Sequence, residues 1–300
     1  MSSSSDNADA YIGHVWNWVR LERQRAEHAA VLARRHEELM TRAPESMLAY
    51  HSRLAALYRR LEQRHLASGQ MQAVHAGRLR RWAEVGAGQG AIRPLFMASV
   101  AAILDVDSAM FALFGRWQVP AMVATSSDTA RAAHDLEFTL GEGPMTDAAA
   151  QNDAIIVAGP ALLARWPQYG AAVAELGVRA VVAMPVRFPT VRLGALCGFD
   201  SRPKLPDGVT ASADRVADAL AHALLDTAQT TENADSGPIL PLFDEADYRD
   251  VVHQAIGMVS VQCECDLHDA TAMLRARSFA DGVPVDEIAG RIVDGTLRLS

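Results

Sequence analysis

The sequence predicts an α+β chain in three parts: a helical N-terminal region at residues 1–88, a sheet domain with packed helices at 91–228, and a three-helix module at 239–300. Three observations predict it. Apolar residues recur at helical intervals through residues 8–85. From about 91 to 228 short apolar runs alternate with helical stretches, the pattern of strands covered by helices. Beyond the polar break "TTENADSGP" at 230–238, three short helical periodicities close the chain.

In order, Val15, Trp18 and Val19 open an amphipathic stretch that continues through Leu32, His36, Leu39 and Met40 until Pro44 interrupts it. Leu48, Leu54, Leu57, Tyr58, Leu61 and His65 carry a second stretch, weakened by Gly69 and Gly77. These read as two or three helices paired with each other or with a second copy of the chain. The glycine-rich "EVGAGQGAI" at 84–92 reads as a hinge. A helix at 95–104 leads into two apolar runs, "SAMFALFG" and "PAMVATSS", joined by a turn. A helical stretch from Asp128 to Leu136 runs into the turn Gly141-Glu-Gly-Pro144. "AIIVAG" reads as a strand, "RWPQYGAAVAELG" as a helix ending at Gly177, and "VRAVVAMPVR" and "VRLGALCGFD" as strands joined by a short turn. A long helix at 211–227 ends this region.

The C-terminal helices are placed at about 245–262, after Asp266, and at about 285–293. The first buries Val252, Ala255 and Val259, with Tyr248 on the same face. Asp266 can cap the second, with Asp269 three residues on. Its inner face is Ala270, Met273, Leu274 and Arg277, and it stops at Gly282 before Pro284. The third carries Val285, Ile288, Ala289, Ile292 and Val293 at helical spacing. Three helices of this size make little core, so the module is expected to lean on a partner.

Composition narrows the function. The 300 residues are half hydrophobic and 21% charged, enough for two ordinary cores. No run approaches the roughly 18 apolar residues of a membrane span, and Met1 to Asp6 lack the pattern of a signal peptide, so the expected location is cytoplasmic. Three cysteines (Cys197, Cys263, Cys265) cannot all pair, as fits a reducing compartment. Charge is uneven. Residues 1–90 carry 13 Lys/Arg against 9 Asp/Glu, residues 91–230 carry 10 against 14, and residues 231–300 carry 5 against 13. No segment has the dense basic face of non-specific nucleic-acid binding.

No enzymatic constellation stands out. The sequence has no Gly-x-Ser-x-Gly, no His-Glu-x-x-His and no phosphate loop. The glycines of 86–90 follow no buried strand and precede no Gly-Lys-Ser/Thr. Asp105, Asp107, Asp135, Glu137, Glu142 and Asp147 lie at expected turns and helix starts, where capping and solvation account for them. Cys263 and Cys265 lack a second Cys/His pair at zinc spacing. Six of the ten histidines (His14, His28, His36, His51, His65, His75) lie in the N-terminal helices, no two of them four apart, and read as a solvated surface. The expectation is a non-enzyme with no cofactor and no metal.

Two resemblances sharpen this. Gln254-Ala255-Ile256-Gly257-Met258-Val259, then Ala270, Met273-Leu274-Arg275 and Ser278, then Val285 and Ile288-Ala289, resemble the ANTAR RNA-binding module in order and interval. Ile256 stands where that family carries a lysine, and Asp281-Gly-Val-Pro284 replaces its basic and polar linker. Leu140-Gly-Glu-Gly-Pro144, Arg165-Trp-Pro167, Gly177-Val-Arg-Ala180, Met184-Pro-Val186 and Val191-Arg-Leu-Gly194 resemble a GAF domain, as found before ANTAR in many actinobacterial regulators.

The resemblance implies a cytoplasmic transcription-antitermination regulator. Its ANTAR module, through Gln254, Ala255, Gly257, Arg275 and Ser278, would bind a structured hairpin leader in nascent RNA. The GAF-like domain and homodimerisation would control that binding, through a small-molecule or protein signal whose contact residues are unknown. The helix at 211–227 is the expected lever, and no membrane is involved. A second reading takes the module as a protein-interaction surface in a GAF-based signalling protein, with weak or no RNA binding; Ile256 and the acidic C-terminal balance favour it. A third, a DNA-binding helix-turn-helix, meets the same shortage of cations.

Overall fold

The computed structural model describes residues 2–86, 93–115, 119–188, 190–232 and 246–299. The hinge expected at 84–92 lies largely outside the described residues, as do the turn between the first two strands at 116–118 and most of the polar break, since 233–245 are not described. Two compact units result: Met1–Leu95 with Asp218–Leu240, and Phe96–Ala217 with Pro241–Ser300.

The first unit is a long antiparallel hairpin. Helix α1 (Ser2–Met40) and α2 (Glu45–Gly86) are separated at Pro44, whose carbonyl accepts from Met47 N at 2.8 Å. Gly69 and Gly77 do not interrupt α2, because each costs a helix only about 1 kcal/mol and interhelical packing supports both turns. Alanines dominate the seam: Ala26, Ala29, Ala30, Ala33, Ala55, Ala67 and Ala76 are buried, letting the backbones approach closely. Arg59 grips Glu37 with two bonds of 2.8 Å, and Glu22, buried, accepts from Arg25 and meets His65 Nδ1, both at 2.9 Å.

The N-terminal histidines are not uniformly solvated. His75 is wholly buried, and burial followed by Arg93 and Arg78 pushes its pKa down to about 4. His36 and His51 meet Nδ1 to Nδ1 at 3.0 Å, while His14 and His28 are exposed. The hairpin register decides this, and helical spacing within either half of the hairpin does not contain it.

The second unit is built on a five-stranded antiparallel sheet in the order β2-β1-β5-β4-β3. Its strands are β1 (Ser108–Phe114), β2 (Pro120–Thr125), β3 (Ile155–Ala158), β4 (Ala180–Arg187) and β5 (Arg192–Asp200). Strand alternation sends Met110 and Ala112 of β1, Val181 and Ala183 of β4, and Ala195, Cys197 and Phe199 of β5 to one face. Helices α4 (Asp128–Leu140), α5 (Pro144–Gln151), α6 (Pro160–Arg165) and α7 (Pro167–Glu175) pack there, contributing Ala133, Met145, Leu162, Trp166, Tyr169 and Val173. Helix α3 (Phe96–Leu104) packs on β1 and β2. The α+β class is therefore as expected, with α5 and α6 added to the elements the sequence suggested.

Helix α8 (Val209–Glu232) starts in the sheet unit, and from Asp218 onward it groups with the hairpin, where Arg64 Nε meets Asp218 at 2.9 Å. Three C-terminal helices follow: α9 (Asp250–Gln262), α10 (Leu267–Asp281) and α11 (Val285–Val293). The first begins at Asp250, later than expected, leaving Tyr248 exposed ahead of it; Glu245 lies outside the described residues. Asp266 caps α10 as expected, accepting from Asp269 N at 2.8 Å. Among the described residues no helix is long and apolar enough to cross a membrane.

Candidate nucleic-acid interface

The C-terminal helices belong to the same compact unit as the sheet, and they share a core with it. Val252, Ala255, Ile256, Val259, Ala270, Leu274, Val285, Ile288, Ala289 and Ile292 cluster with Val119, at the foot of β2, and Phe138 of α4. A three-helix module too small for a full core thus borrows apolar surface from its neighbour. Ile256 is interior, so the position where the resemblance expects a cation faces the core and no surface charge is lost by having isoleucine there.

Polar contacts fix the docking. Asp247 extends the edge of β2, exchanging two backbone bonds of 2.8 Å with Val123, and its carboxylate accepts from Arg131 at 3.1 Å. His253 donates from Nε2 to the Pro120 carbonyl at 3.0 Å. Arg249 adopts a left-handed backbone (φ 50°) just before α9, which turns its side chain under α4. There it donates to His134 Nδ1 at 2.8 Å, to Asp135, and to Asp286 of α11 at 2.5 Å, with Asp247 at 3.6 Å. Burial opposes the guanidinium's charge, but Asp135, Asp286 and Asp247 outweigh it and hold its pKa above the ordinary value.

His134 is buried, and burial lowers its pKa against the pull of Asp135. Its Nδ1 lies 3.2 Å from Asp135 Oδ1 as well. An arginine can only donate, so Nδ1 accepts from Arg249, and the same Nη2 serves both His134 and Asp135. The neutral imidazole follows from that geometry. Burial also works against the charge of Asp135, yet the Arg249 guanidinium bonded to it overcomes this and keeps its pKa low.

The five residues singled out from sequence separate. Gln254 is exposed on α9. Gly257 is half-buried, and a Cβ there would meet nothing within 4 Å, so neighbouring packing does not demand glycine. Ala255 is fully buried in the module's core. Ser278 is 2% exposed; its hydroxyl donates to the Val283 carbonyl at 2.7 Å, with the Thr139 hydroxyl of α4 at 3.5 Å. Arg275 lies over the Phe138 ring at 4.7 Å, half-buried against the sheet domain. Arg277, placed on the inner face from sequence, is instead exposed and bonded to Asp281 at 2.8 Å. The docked arrangement thus leaves Gln254 and Gly257 accessible and holds Arg275 and Ser278 against α4.

Beneath Arg275 lies Glu137, one of the carboxylates read as a cap. It is a cap, reached from an unexpected side. From the end of α4 it accepts from Met145 N at 3.2 Å and Thr146 N at 2.6 Å, satisfying the start of α5. Gly143 makes this approach possible, since a Cβ there would lie 2.5 Å from the carboxyl carbon. Burial, opposed by the Thr146 and Met145 N–H groups, pushes the carboxyl up to about 7. Glu142 serves α7 likewise, accepting from Gln168 N at 2.8 Å and Tyr169 N at 3.0 Å. Arg249 escaped sequence reasoning because its partners are distant in the chain, and the burial of Glu137 because it depends on α5.

Among the described residues no group of three or more His, Cys, Asp or Glu side chains is arranged to hold a metal ion. No family profile matches the chain, and no curated protein matches it. Solved structures similar to it include the GAF domain of an Acinetobacter phosphoenolpyruvate-protein phosphotransferase (9% identity, 58% of this chain and 97% of that one, TM-score 0.35). Others are the phycocyanobilin-bound GAF domain of a cyanobacterial phytochrome (15%, 55% and 98%, 0.34) and the chromophore-binding domain of a bacteriophytochrome from R. palustris (10%, 56% and 61%, 0.33). Scores of this size by themselves assign neither a fold nor an activity.

Proposed function

We propose that the chain is a cytoplasmic, signal-responsive regulator, active as a homodimer, whose C-terminal module binds a structured hairpin leader in nascent RNA and promotes antitermination. The GAF-like sheet domain holds the module in a docked state, and a signal shifts the population towards the released state. The observation that carries this reading is the seal between α4 and the C-terminal helices. Arg275 and Ser278, which the ANTAR resemblance assigns to RNA, are held against the sheet domain by the Arg249 network. A module whose contact residues are covered at rest has a built-in off state. Gln254 and Gly257 remain open for first contact.

The acidic C-terminal segment limits phosphate neutralisation, so recognition rests on edge and stacking contacts with splayed loop bases. The same acidity supports the second reading, in which the module docks on a protein and RNA binding is weak. RNA crosslinking followed by sequencing, comparing wild type with Arg275→Ala, separates the two. Enrichment of hairpin leaders in wild type and its loss in the variant support the RNA reading. An absence of structured leaders in both removes it, and equal enrichment removes the role given to Arg275.

A further inference from the structure

Between α4, α5 and α10 lies a cavity of about 310 Å³, at the small end of ligand-sized pockets. Phe114, Phe138, Met145 and Ala149 give it apolar walls, and α10 closes it with Thr271 and Arg275. Arg275 is conspicuous there. Its guanidinium stacks on Phe138, its Nε is buried without a hydrogen-bond partner, and it takes part in none of the ion pairs among the described residues. Arg249, buried in the same unit, has three aspartates around it. A half-buried cation whose planar fork of donors is unfilled, beside an apolar cavity, is a carboxylate receptor by its chemistry.

We propose that this cavity binds a small organic monocarboxylate with an aromatic or aliphatic body, its carboxylate on Arg275 and its body between Phe114, Phe138 and Met145. The mostly apolar walls favour a carboxylate carrying an organic body over a phosphate dianion, which has no apolar part to bury against Phe114, Phe138 and Met145. Glu137 lines the same cavity. The groups around its carboxyl are the Met145 and Thr146 N–H groups and Asp147 from α5, Tyr169 from α7, Cys197 from β5 and Arg275 from α10, and His268 of α10 lines the same cavity. With Glu137 protonated, the Arg275 charge stands unopposed; with it ionised, the carboxylate offsets Arg275 and opposes a second anion beside it. Carboxylate binding therefore takes up a proton, and affinity falls as pH rises through about 7. A ligand held by α4, α5 and α10 together also fastens the docked module. That consequence, and not the site itself, rests on the proposed function.

The test is titration calorimetry on the full chain with benzoate, 3-phenylpropionate, 3-phenylpropionamide and inorganic phosphate, at about pH 6 and pH 8. At least one carboxylate should bind, with the amide and phosphate at least ten-fold weaker. Affinity should drop about ten-fold between the two pH values, as expected for a group titrating near 7. Arg275→Met should lose at least ten-fold. Ala149→Val, which narrows the cavity without touching the cation, should weaken the carboxylate as well, and circular dichroism confirms that both variants fold. No carboxylate binding at millimolar concentration, amide binding equal to carboxylate binding, or an unaffected Arg275→Met variant each overturns the proposal. None of these readouts involves RNA, so the RNA reading can fail while the cavity stands, and the reverse.

Discussion

Replacing Arg249 by alanine removes the pin between α4 and the C-terminal helices. The guanidinium is 3% exposed and bonds to Asp135, Asp286 and His134. Breaking a fully buried ion pair costs about 3–5 kcal/mol, mostly through the charge left behind. Here the charges left behind are 24% and 44% exposed and rehydrate in part, which lowers the expected loss to about 2–3 kcal/mol. The loss falls on docking, because the network joins α4 to the residues flanking α9 and to α11. Amide hydrogen exchange in α9 and α10 should therefore accelerate about 30- to 150-fold. Exchange in β4 and β5 should change little. Arg249→Lys keeps the charge but loses the fork, and should fall between the two. If α9 and α10 exchange within two-fold of wild type in Arg249→Ala, the network does not hold the module.

Other outcomes follow from the same contacts. Glu137 should make stability fall with pH. Below 4.5 it is protonated folded and unfolded; between 4.5 and about 7 only the unfolded chain ionises; above 7 its contribution is lower by about 3 kcal/mol and level. Urea titrations across pH 4.5–8 should show this fall, and Glu137→Gln should flatten it. Gly143→Ala should cost about 2–3 kcal/mol in urea, because the new methyl displaces the Glu137 carboxyl and uncaps α5. Asp266→Ala should cost about 1 kcal/mol in urea by removing the cap on Asp269 N.

Periodicity and punctuation made much of the fold legible in advance. Pro44 divided the hairpin, Asp266 and Gly282 bounded α10, and the two apolar runs of 178–200 became β4 and β5. Helices α5 and α6 were not legible, being eight and six residues long with little room for a repeating stripe. The site was legible as a motif but not as a geometry. Ile256 could be read as a missing cation because the sequence shows which residue stands there and not which way it faces. Arg249 was invisible because its partners His134 and Asp286 lie 115 and 37 residues away, and its left-handed backbone carries no glycine or asparagine signal.

The most direct test of the docked, RNA-competent module is a gel-shift with a two-hairpin RNA at about 50 mM salt, where phosphate contacts are strongest. Wild type, Arg249→Ala and Arg249→Ala with Arg275→Ala are compared as full chains. Release of the pin should raise affinity at least ten-fold over wild type, and the added loss of Arg275 should abolish the gain. Absence of binding in all three, with each folded by circular dichroism, would contradict the account.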